Sequence, residues 1–212
     1  MRLSEATPKI KLIGTAASRV VRNVWMLAEL GLPYEHDPIA PSAAEMKQPP
    51  YLDWNPNAKV PICIVDGFAL WESLAINLYL DRRFPSAISL ITLEEQAQGM
   101  QWSLWALTEV EMNTFNWYIH TILKPEAERD TTLAAECLEK LQRPLAVLEK
   151  TLTGRACLLG ERFTVADLTT AATMYRALWL PLEDFPNVKG WIERCWSREG
   201  ALIARRARGD KV

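Results

Sequence analysis

The first half of the chain contains short apolar runs whose length and composition are typical of β-strands. Two of these runs flank Asp66-Gly67, a dipeptide that favours a two-residue hairpin turn because both residues tolerate a positive φ. The pattern therefore predicts a hairpin at this point and two further strands upstream of it. The predicted strands are residues 10–14, the segment LPYEHDPI, residues 61–65 and residues 68–70.

Two amphipathic helices are predicted between and after these strands. From residue 18 to residue 30, apolar side chains recur at the i, i+3, i+4, i+7 spacing of one helix face. Gly31 follows as a typical C-terminal cap. A second amphipathic pattern begins at Ser73 and ends near Pro85. A poorly defined segment rich in Ala, Pro and Gln follows the second strand and takes the place of a third helix. The resulting order, β-α-β-α-β-β-α, predicts a small α/β sandwich.

Strand signals disappear in the second half, where helical periodicity predominates. Residues 94–124 and the stretch after about Glu126 each predict a long helix. Thr164 and Asp167 fit a capping box, in which two side chains satisfy the free amides at a helix start. The sequence therefore predicts an all-α second half. The predicted division is an α/β domain at 1–85, a linker at 86–93 and an all-helical domain at 94–212.

The overall composition is that of a globular protein. Of the 212 residues, 49% are hydrophobic and 24% are charged, which excludes a disordered chain. The formal net charge of -2 gives no basic field that would attract nucleic acid. We interpret the one dense basic run, residues 205–208, as a solvated tail in preference to a phosphate-binding patch. The N-terminus has no signal-peptide pattern and no apolar stretch is long enough to span a bilayer, so neither nucleic acid nor a membrane is an expected partner.

Residues that bind metals are few and scattered along the chain. The cysteines are far apart and include no Cys-x-x-Cys pair, so we expect neither a zinc site nor a disulfide framework. This use of cysteine indicates a reducing cytoplasm. The cysteines are Cys63, Cys137, Cys157 and Cys195, and the histidines are His36 and His120.

Pro61, at the start of a predicted strand, has two interpretations. Proline is common at edge strands, where its missing N–H breaks no ladder hydrogen bond. Alternatively, a cis peptide bond between Val60 and Pro61 would turn the backbone groups of Val60 outward, where they could pair with an extended ligand as an added strand does.

Glu72 and Ser73 interrupt the apolar pattern at the predicted start of a helix. Acidic and hydroxyl residues commonly cap a helix N-terminus, which would explain either residue. Together they would also suit the head group of an amino acid. The Ser73 hydroxyl and the free helix amides can bind a carboxylate, and the Glu72 carboxylate can bind an ammonium.

The turn Thr15-Ala16-Ala17-Ser18 lies between the first predicted strand and the first predicted helix. Ser18 is a good helix N-cap. Hydroxyls at this point would also lie at the positive end of a helix dipole, which suits a thiolate or another anion. Arg19 and Arg22 add positive charge nearby, and Arg22 could equally face solvent.

The order of these elements resembles the cytosolic glutathione S-transferase superfamily, in particular Ser/Thr-type, bacterial-like members. The resemblance runs from about Lys9 to Arg205. Its most specific part is the succession of N-P-x-x-K-V-P, a D-G hairpin and E-S-x-A-I. It implies an α/β N-terminal thioredoxin-like domain followed by an all-α helical bundle domain, with a structural capping box. The segments that carry it are LIGTAASRVVRNVWMLAELGLPYE, NPNAKVPICIVDGFALWESLAINLYL and FTVADLTTAATMYRA.

The resemblance implies roles for individual residues in binding glutathione. Glu72 and Ser73 would hold the γ-glutamyl ammonium and carboxylate. Val60, before a cis Pro61, would pair its backbone with the cysteinyl unit, and Lys59 would lie near the glycyl end.

Family members place a Tyr, Ser or Cys after the first strand to act on the glutathione sulfur, and this sequence has Thr15 there. Ser18 is a second candidate. A free thiol has a pKa of about 8.5, and a hydroxyl hydrogen bond at a helix start would lower it. Because the turn holds no cysteine, thiol–disulfide exchange through the protein is disfavoured.

The implied protein is a cytoplasmic, homodimeric detoxification enzyme. It would be a glutathione transferase that conjugates the glutathione thiolate to small hydrophobic electrophiles, with glutathione as co-substrate and no metal. Two alternatives use the same residues, a non-catalytic glutathione-binding protein and a glutathione-dependent isomerase, peroxidase or dehalogenase. In such proteins the electrophile pocket faces the helical domain. Its expected lining residues are Trp105, Thr108, Glu109 and Met112.

Overall fold

The computed structural model describes residues 7–211, and the contacts within it divide the chain into two units. The first unit consists of residues 7–84 together with residues 199–211, and the second consists of residues 85–198. The C-terminal residues thus group with the α/β unit, although the sequence analysis assigned them to the helical half. The domain boundaries predicted above stay a prediction about independently folding domains.

The elements follow the predicted succession of strands and helices. Within residues 7–211, the strands are β1 Ile10–Ile13, β2 Glu35–Asp37, β3 Ile62–Val65 and β4 Phe68–Trp71. The α-helices are α1 Val21–Glu29, α2 Tyr51–Trp54, α3 Ser73–Arg83, α4 Leu93–Trp105, α5 Met112–Tyr118, α6 Thr131–Leu152, α7 Val165–Thr173, α8 Pro186–Trp196 and α9 Glu199–Arg208.

A four-stranded mixed sheet of order β2-β1-β3-β4 forms the centre of the first unit. Strand β1 pairs in parallel with β2 and antiparallel with β3, and β3 pairs antiparallel with β4. The predicted hairpin is confirmed, since Asp66 and Gly67 join β3 to β4 with φ angles of 50° and 88°. The α/β class predicted for this half is therefore correct.

Both faces of β1 are buried. Leu12 and Ile13, which point to opposite faces of the sheet, have no exposed surface. Ile13 packs with Met46 and Ile62 in an apolar cluster. Helices α1 and α3 pack against each other within the same unit. The partly buried side chains around the cluster are Ile39, Ala43, Tyr51, Trp54, Val60 and Ile64.

Helix α9 overturns the interpretation of residues 205–208 as a solvated tail. They form the last turn of a helix that packs against α1, with Ala201 and Ala204 fully buried. The guanidinium of Arg208 donates a hydrogen bond to the carbonyl of Ala17 at 3.0 Å. The basic residues therefore lie at a helix C-terminus, where the helix dipole favours positive charge.

The second unit is all-helical, as predicted. Helix α4 runs into π-helical turns at Ala106–Glu111, then into α5, and then into further π-helical turns at Ile119–Leu123. The helix predicted over 94–124 is thus one continuous helical run with two widened segments. Among the described residues, no helix is both long and apolar enough to cross a bilayer.

Helix α7 begins with the predicted capping box. Thr164 Oγ1 accepts the amide of Ala166 at 3.2 Å, and Asp167 Oδ2 accepts the amide of Thr164 at 3.0 Å. Asp167 is fully buried, and its Oδ1 also accepts the amide of Leu158 and the indole N–H of Trp191. Burial raises the pKa of the Asp167 carboxyl, and these hydrogen bonds to the charged form oppose that rise. The carboxylate therefore ties the loop before α7 to helix α8.

Candidate active site

The turn after β1 is anchored beside β2. The amide of Gly14 donates to the carbonyl of Asp37 at 2.7 Å, and the amide of Thr15 donates to the carbonyl of Ile39 at 3.0 Å. Helix α1 then begins at Val21, three residues later than predicted, because the intervening residues form turns. The hydroxyls of this turn are consequently held in a loop just ahead of the helix.

The two hydroxyls of the turn have different hydrogen bonds. Ser18 Oγ donates to the carbonyl of Thr15 at 2.7 Å and accepts the amide of Val20 at 3.3 Å, so it caps the turns that precede α1. Thr15 Oγ1 accepts a long hydrogen bond from the amide of Ala17 at 3.4 Å. Within residues 7–211 no hydrogen bond uses the Thr15 proton, which leaves that proton available to a bound group.

Gly14 brings this turn into contact with Val60. Its φ is +116°, and a Cβ placed on it would lie 2.6 Å from Val60 Cβ and 2.8 Å from Val20 Cγ2. Only glycine allows this approach. The turn that carries Thr15 and the Val60-Pro61 segment are therefore direct neighbours.

The peptide bond between Val60 and Pro61 is cis, as the resemblance implied. The edge-strand interpretation of Pro61 is wrong, because the strand that follows it, β3, lies between β1 and β4 in the sheet. Lys59 is exposed, and its backbone carbonyl accepts a hydrogen bond from Asn55 Nδ2 at 2.7 Å. Buried Asn55 thus fixes the loop that leads into this segment.

Glu72 occupies the N-cap position of α3 without acting as a cap. Its side chain makes no capping hydrogen bond, and the residue is exposed. Its backbone has a φ of +73° and a ψ of 113°, a conformation rarely adopted by a residue with a side chain. The capping interpretation of Glu72 is therefore wrong. Strain of this kind, about 1–3 kcal/mol, is concentrated at functional sites in proteins.

Ser73, in contrast, is buried, and two residues of α1 hold it in place. Its Oγ accepts a hydrogen bond from Arg22 Nη1 at 3.1 Å, and its carbonyl accepts one from Asn23 Nδ2 at 2.9 Å. Arg22 is only 3% exposed, so the suggestion that it faces solvent is wrong. Asn23 and the contact between Arg22 and Ser73 were not predicted from the sequence. The available signal was two adjacent polar residues in an otherwise apolar helix.

The residues expected to line an electrophile pocket belong to the second unit. Thr108, Glu109 and Met112 are exposed, and Trp105 is half-buried with its ring edge-on to Trp102 at 5.0 Å between centroids. Thr108 and Glu109 lie in the π-helical turns, a feature that is frequent at functional sites. Their contact with an electrophile stays a prediction.

The first unit contains one cysteine, Cys63, in strand β3. Cys63 is 1% exposed, and burial raises the pKa of its thiol to about 12, so it is a core residue and a poor nucleophile at neutral pH. Among the described residues, no group of three or more His, Cys, Asp or Glu side chains is arranged to bind a metal ion. The candidate activating groups beside Val60 are the hydroxyls of Thr15 and Ser18 in the turn after β1.

Known proteins resemble this chain along nearly its whole length. Residues 9–82 match the family model described as Glutathione S-transferase, N-terminal domain, and residues 112–199 match the one described as Glutathione S-transferase, C-terminal domain. Probable glutathione S-transferase GSTF2 of Oryza sativa subsp. japonica is 34% identical over 196 residues, which cover 86% of this chain and 89% of that protein.

A second relative and a solved structure are also similar to this chain. Elongation factor 1-gamma of Danio rerio is 32% identical over 155 residues, covering 70% of this chain but 34% of that protein. The theta class glutathione S-transferase of Xanthomonas axonopodis pv. citri, solved with glutathione bound, superposes with a TM-score of 0.82 at 26% identity, over 96% of this chain and 99% of that one. The chain belongs to the cytosolic glutathione S-transferase superfamily and is a glutathione transferase.

Proposed function

We propose that the protein binds glutathione through the first unit and conjugates its thiolate to small hydrophobic electrophiles. The observation that carries this proposal is the conformation of Glu72, whose strained backbone and exposed carboxylate serve no capping purpose. A ligand ammonium is the partner that such a carboxylate would take. Glutathione, which is bound in the structure of the Xanthomonas relative, supplies one at its γ-glutamyl end.

The remaining binding roles follow from the neighbours of Glu72. The γ-glutamyl carboxylate is proposed to bind Ser73 Oγ and the free amides at the start of α3, where the helix dipole favours negative charge. Val60 is proposed to pair its backbone with the cysteinyl unit beside cis Pro61. Lys59, which is exposed on the same loop, is proposed to meet the glycyl carboxylate.

Thr15 is proposed to stabilise the glutathione thiolate. Its proton has no acceptor among the described residues, whereas Ser18 would have to break its 2.7 Å bond to the Thr15 carbonyl before donating to sulfur. The contact between Gly14 and Val60 supports this role, because a cysteinyl unit on Val60 would bring its sulfur towards the turn. Ser18 remains the second candidate.

The proposed electrophile is small and apolar, and Trp105 and Met112 are its proposed apolar contacts. Thr108 and Glu109 are proposed to add polar contacts to the same ligand. The identity of the electrophile would follow from rates measured across aryl halides, epoxides and unsaturated carbonyl compounds.

The role of Thr15 is tested with Thr15→Ala and Ser18→Ala. We expect Thr15→Ala to raise the pKa of bound glutathione, followed by thiolate absorbance, and to lower kcat/KM about tenfold below that pKa, since one hydrogen bond to a charged group is lost. Ser18→Ala should change both quantities less. A larger effect of Ser18→Ala than of Thr15→Ala would mean that Ser18 stabilises the thiolate. No change in either variant would mean that neither hydroxyl of the turn takes part in the reaction.

A non-catalytic glutathione-binding protein is the second candidate. Two observations favour it: a threonine, whose methyl group restricts its rotamer, stands in the turn, and elongation factor 1-gamma is among the relatives. This candidate predicts glutathione binding in calorimetry together with no conjugation of any electrophile in the panel. Turnover in the wild type would exclude it.

We also propose that the protein is a cytoplasmic homodimer with a role in detoxification. Supporting a dimer, the edge strand β4 exposes Phe68 and Trp71, by 53% and 37%, and helix α4 exposes Met100 and Leu104, each by 53%. Exposed apolar side chains that form a patch on a protein often mark an interface with another chain. Sedimentation velocity should give the mass of two chains, and a monomer across the concentration range would contradict the proposal.

A further inference from the structure

A buried polar cluster joins helices α1 and α3 in the first unit. It consists of Arg22, Asn23, Ser73 and Asn77, which are 3%, 0%, 2% and 0% exposed. Asn23 Nδ2 donates to Asn77 Oδ1 at 2.7 Å, and Asn77 Nδ2 donates to the carbonyl of Arg22 at 3.2 Å. We call these four residues the α1–α3 polar cluster.

Helix packing alone does not explain this cluster. Two packed helices are ordinarily joined by apolar side chains, and a buried arginine carries a large desolvation penalty. An apolar residue of similar volume would fill the position of Arg22 at less expense in free energy. The guanidinium therefore calls for a reason other than packing, and one of its hydrogen bonds goes to Ser73.

The direction of this hydrogen bond is fixed by chemistry. Arginine has five donors and no acceptor, so Ser73 Oγ must accept the bond from Arg22 Nη1. The Ser73 proton consequently cannot point at the guanidinium and stays available on the other side of the oxygen. At the same time Asn23 Nδ2 holds the carbonyl of Ser73, so that adjacent residues of α1 fix both the side chain and the backbone.

We infer that Arg22 is a positioning residue for glutathione, which orients the Ser73 hydroxyl so that it donates to the γ-glutamyl carboxylate. The inference rests on the proposed binding of that carboxylate at Ser73. Arg22 acts through Ser73, because it is buried behind the hydroxyl and touches it directly.

The role through Ser73 is tested by a double-mutant cycle. The variants are Arg22→Met, Ser73→Ala and the two together, and calorimetry gives the Kd of glutathione for each. We expect Arg22→Met to raise the Kd about tenfold, in line with one hydrogen bond to a charged group. In the Ser73→Ala background the same substitution should raise it less than about twofold, since the hydroxyl that Arg22 orients is absent.

A second ligand separates positioning from general structure. The probe is 4-aminobutanoyl-Cys-Gly, which is glutathione without its γ-glutamyl carboxylate. Its Kd, measured by displacement, should be the same in the wild type and in Arg22→Met. Arg82→Met is the matched control, because Arg82 is exposed at the far end of α3 and its removal takes the same charge from the same unit.

The results that would contradict the role of Arg22 differ from those that would contradict the proposed function. Equal losses for glutathione and the probe, or additive effects in the cycle, would overturn the role of Arg22. If Arg22→Met does not fold, Arg22→Lys replaces it in the cycle, since a lysine keeps the charge but not the rigid geometry of the guanidinium. Absence of glutathione binding in the wild type, or a Ser73→Ala variant with wild-type affinity, would instead overturn the proposed function itself.

Discussion

Helices α7 and α3 each have an acidic residue at their start, and the two carboxylates are used in opposite ways. Asp167, in the first turn of α7, is fully buried and accepts hydrogen bonds from Thr164, Leu158 and Trp191. Glu72, at the N-cap of α3, is exposed, makes no capping hydrogen bond and has a positive φ. Asp167 accepts a backbone amide at the start of its helix, whereas the Glu72 side chain accepts none at the start of α3.

The difference shows how an acidic residue at a helix start can be assigned to structure or to ligand binding. The oxygens of a structural carboxylate accept hydrogen bonds from protein donors, and these bonds offset the desolvation penalty of burying the charge. A ligand-binding carboxylate keeps its oxygens accessible, and the surrounding fold sustains a backbone conformation that its own helix does not need. On this basis we assign Asp167 to stability and propose that Glu72 binds glutathione.

The largest effect is expected for Asp167→Ala. Removing the carboxylate leaves buried donors of Leu158, Thr164 and Trp191 without their acceptor, so the free energy of unfolding should fall by about 3 kcal/mol or more in urea titrations. The Kd of glutathione measured on folded protein should not change. A loss below about 1 kcal/mol, the value of a simple exposed cap, would contradict the role assigned to Asp167.

Glu72→Gln should have an intermediate effect, on binding and not on stability. Loss of the charge that faces the γ-glutamyl ammonium should raise the Kd of glutathione about tenfold or more, while the free energy of unfolding stays within about 0.5 kcal/mol of the wild type. Glu139→Gln, an exposed carboxylate on α6, is the control for loss of one negative charge. A destabilised variant that binds glutathione normally would make Glu72 a structural residue.

The smallest effect is expected for the stability of Glu72→Gly. Glycine adopts the positive φ without strain, so this variant should be more stable than the matched Glu72→Ala by about 1 kcal/mol, although both lose the carboxylate. Thermal unfolding of the two variants side by side gives the difference. Equal melting temperatures would mean that the backbone at Glu72 is not strained.

Features encoded locally could be predicted from the sequence. Asp66-Gly67 predicted the hairpin because the turn needs two residues with positive φ, and Thr164 with Asp167 predicted the capping box because its partners lie three residues apart. The cis bond before Pro61 was implied by the family resemblance. In each case the residue types that the feature requires stand next to one another or a few positions apart.

Features that depend on distant contacts could not be predicted in this way. Residues 205–208 look like a tail until α9 is seen packed against α1. Arg22 looks exposed until Ser73, which lies 51 positions further on, is found against it. Glu72 looks like a cap because its residue type favours one, and only the backbone angle and the missing hydrogen bond exclude it.

A crystal structure with glutathione bound tests the central claim most directly. We expect the γ-glutamyl ammonium within hydrogen-bond distance of the Glu72 carboxylate, the γ-glutamyl carboxylate on Ser73 Oγ, and Thr15 Oγ1 as the hydroxyl nearest to the sulfur. A tripeptide whose γ-glutamyl end lies away from Glu72 and Ser73 would contradict it.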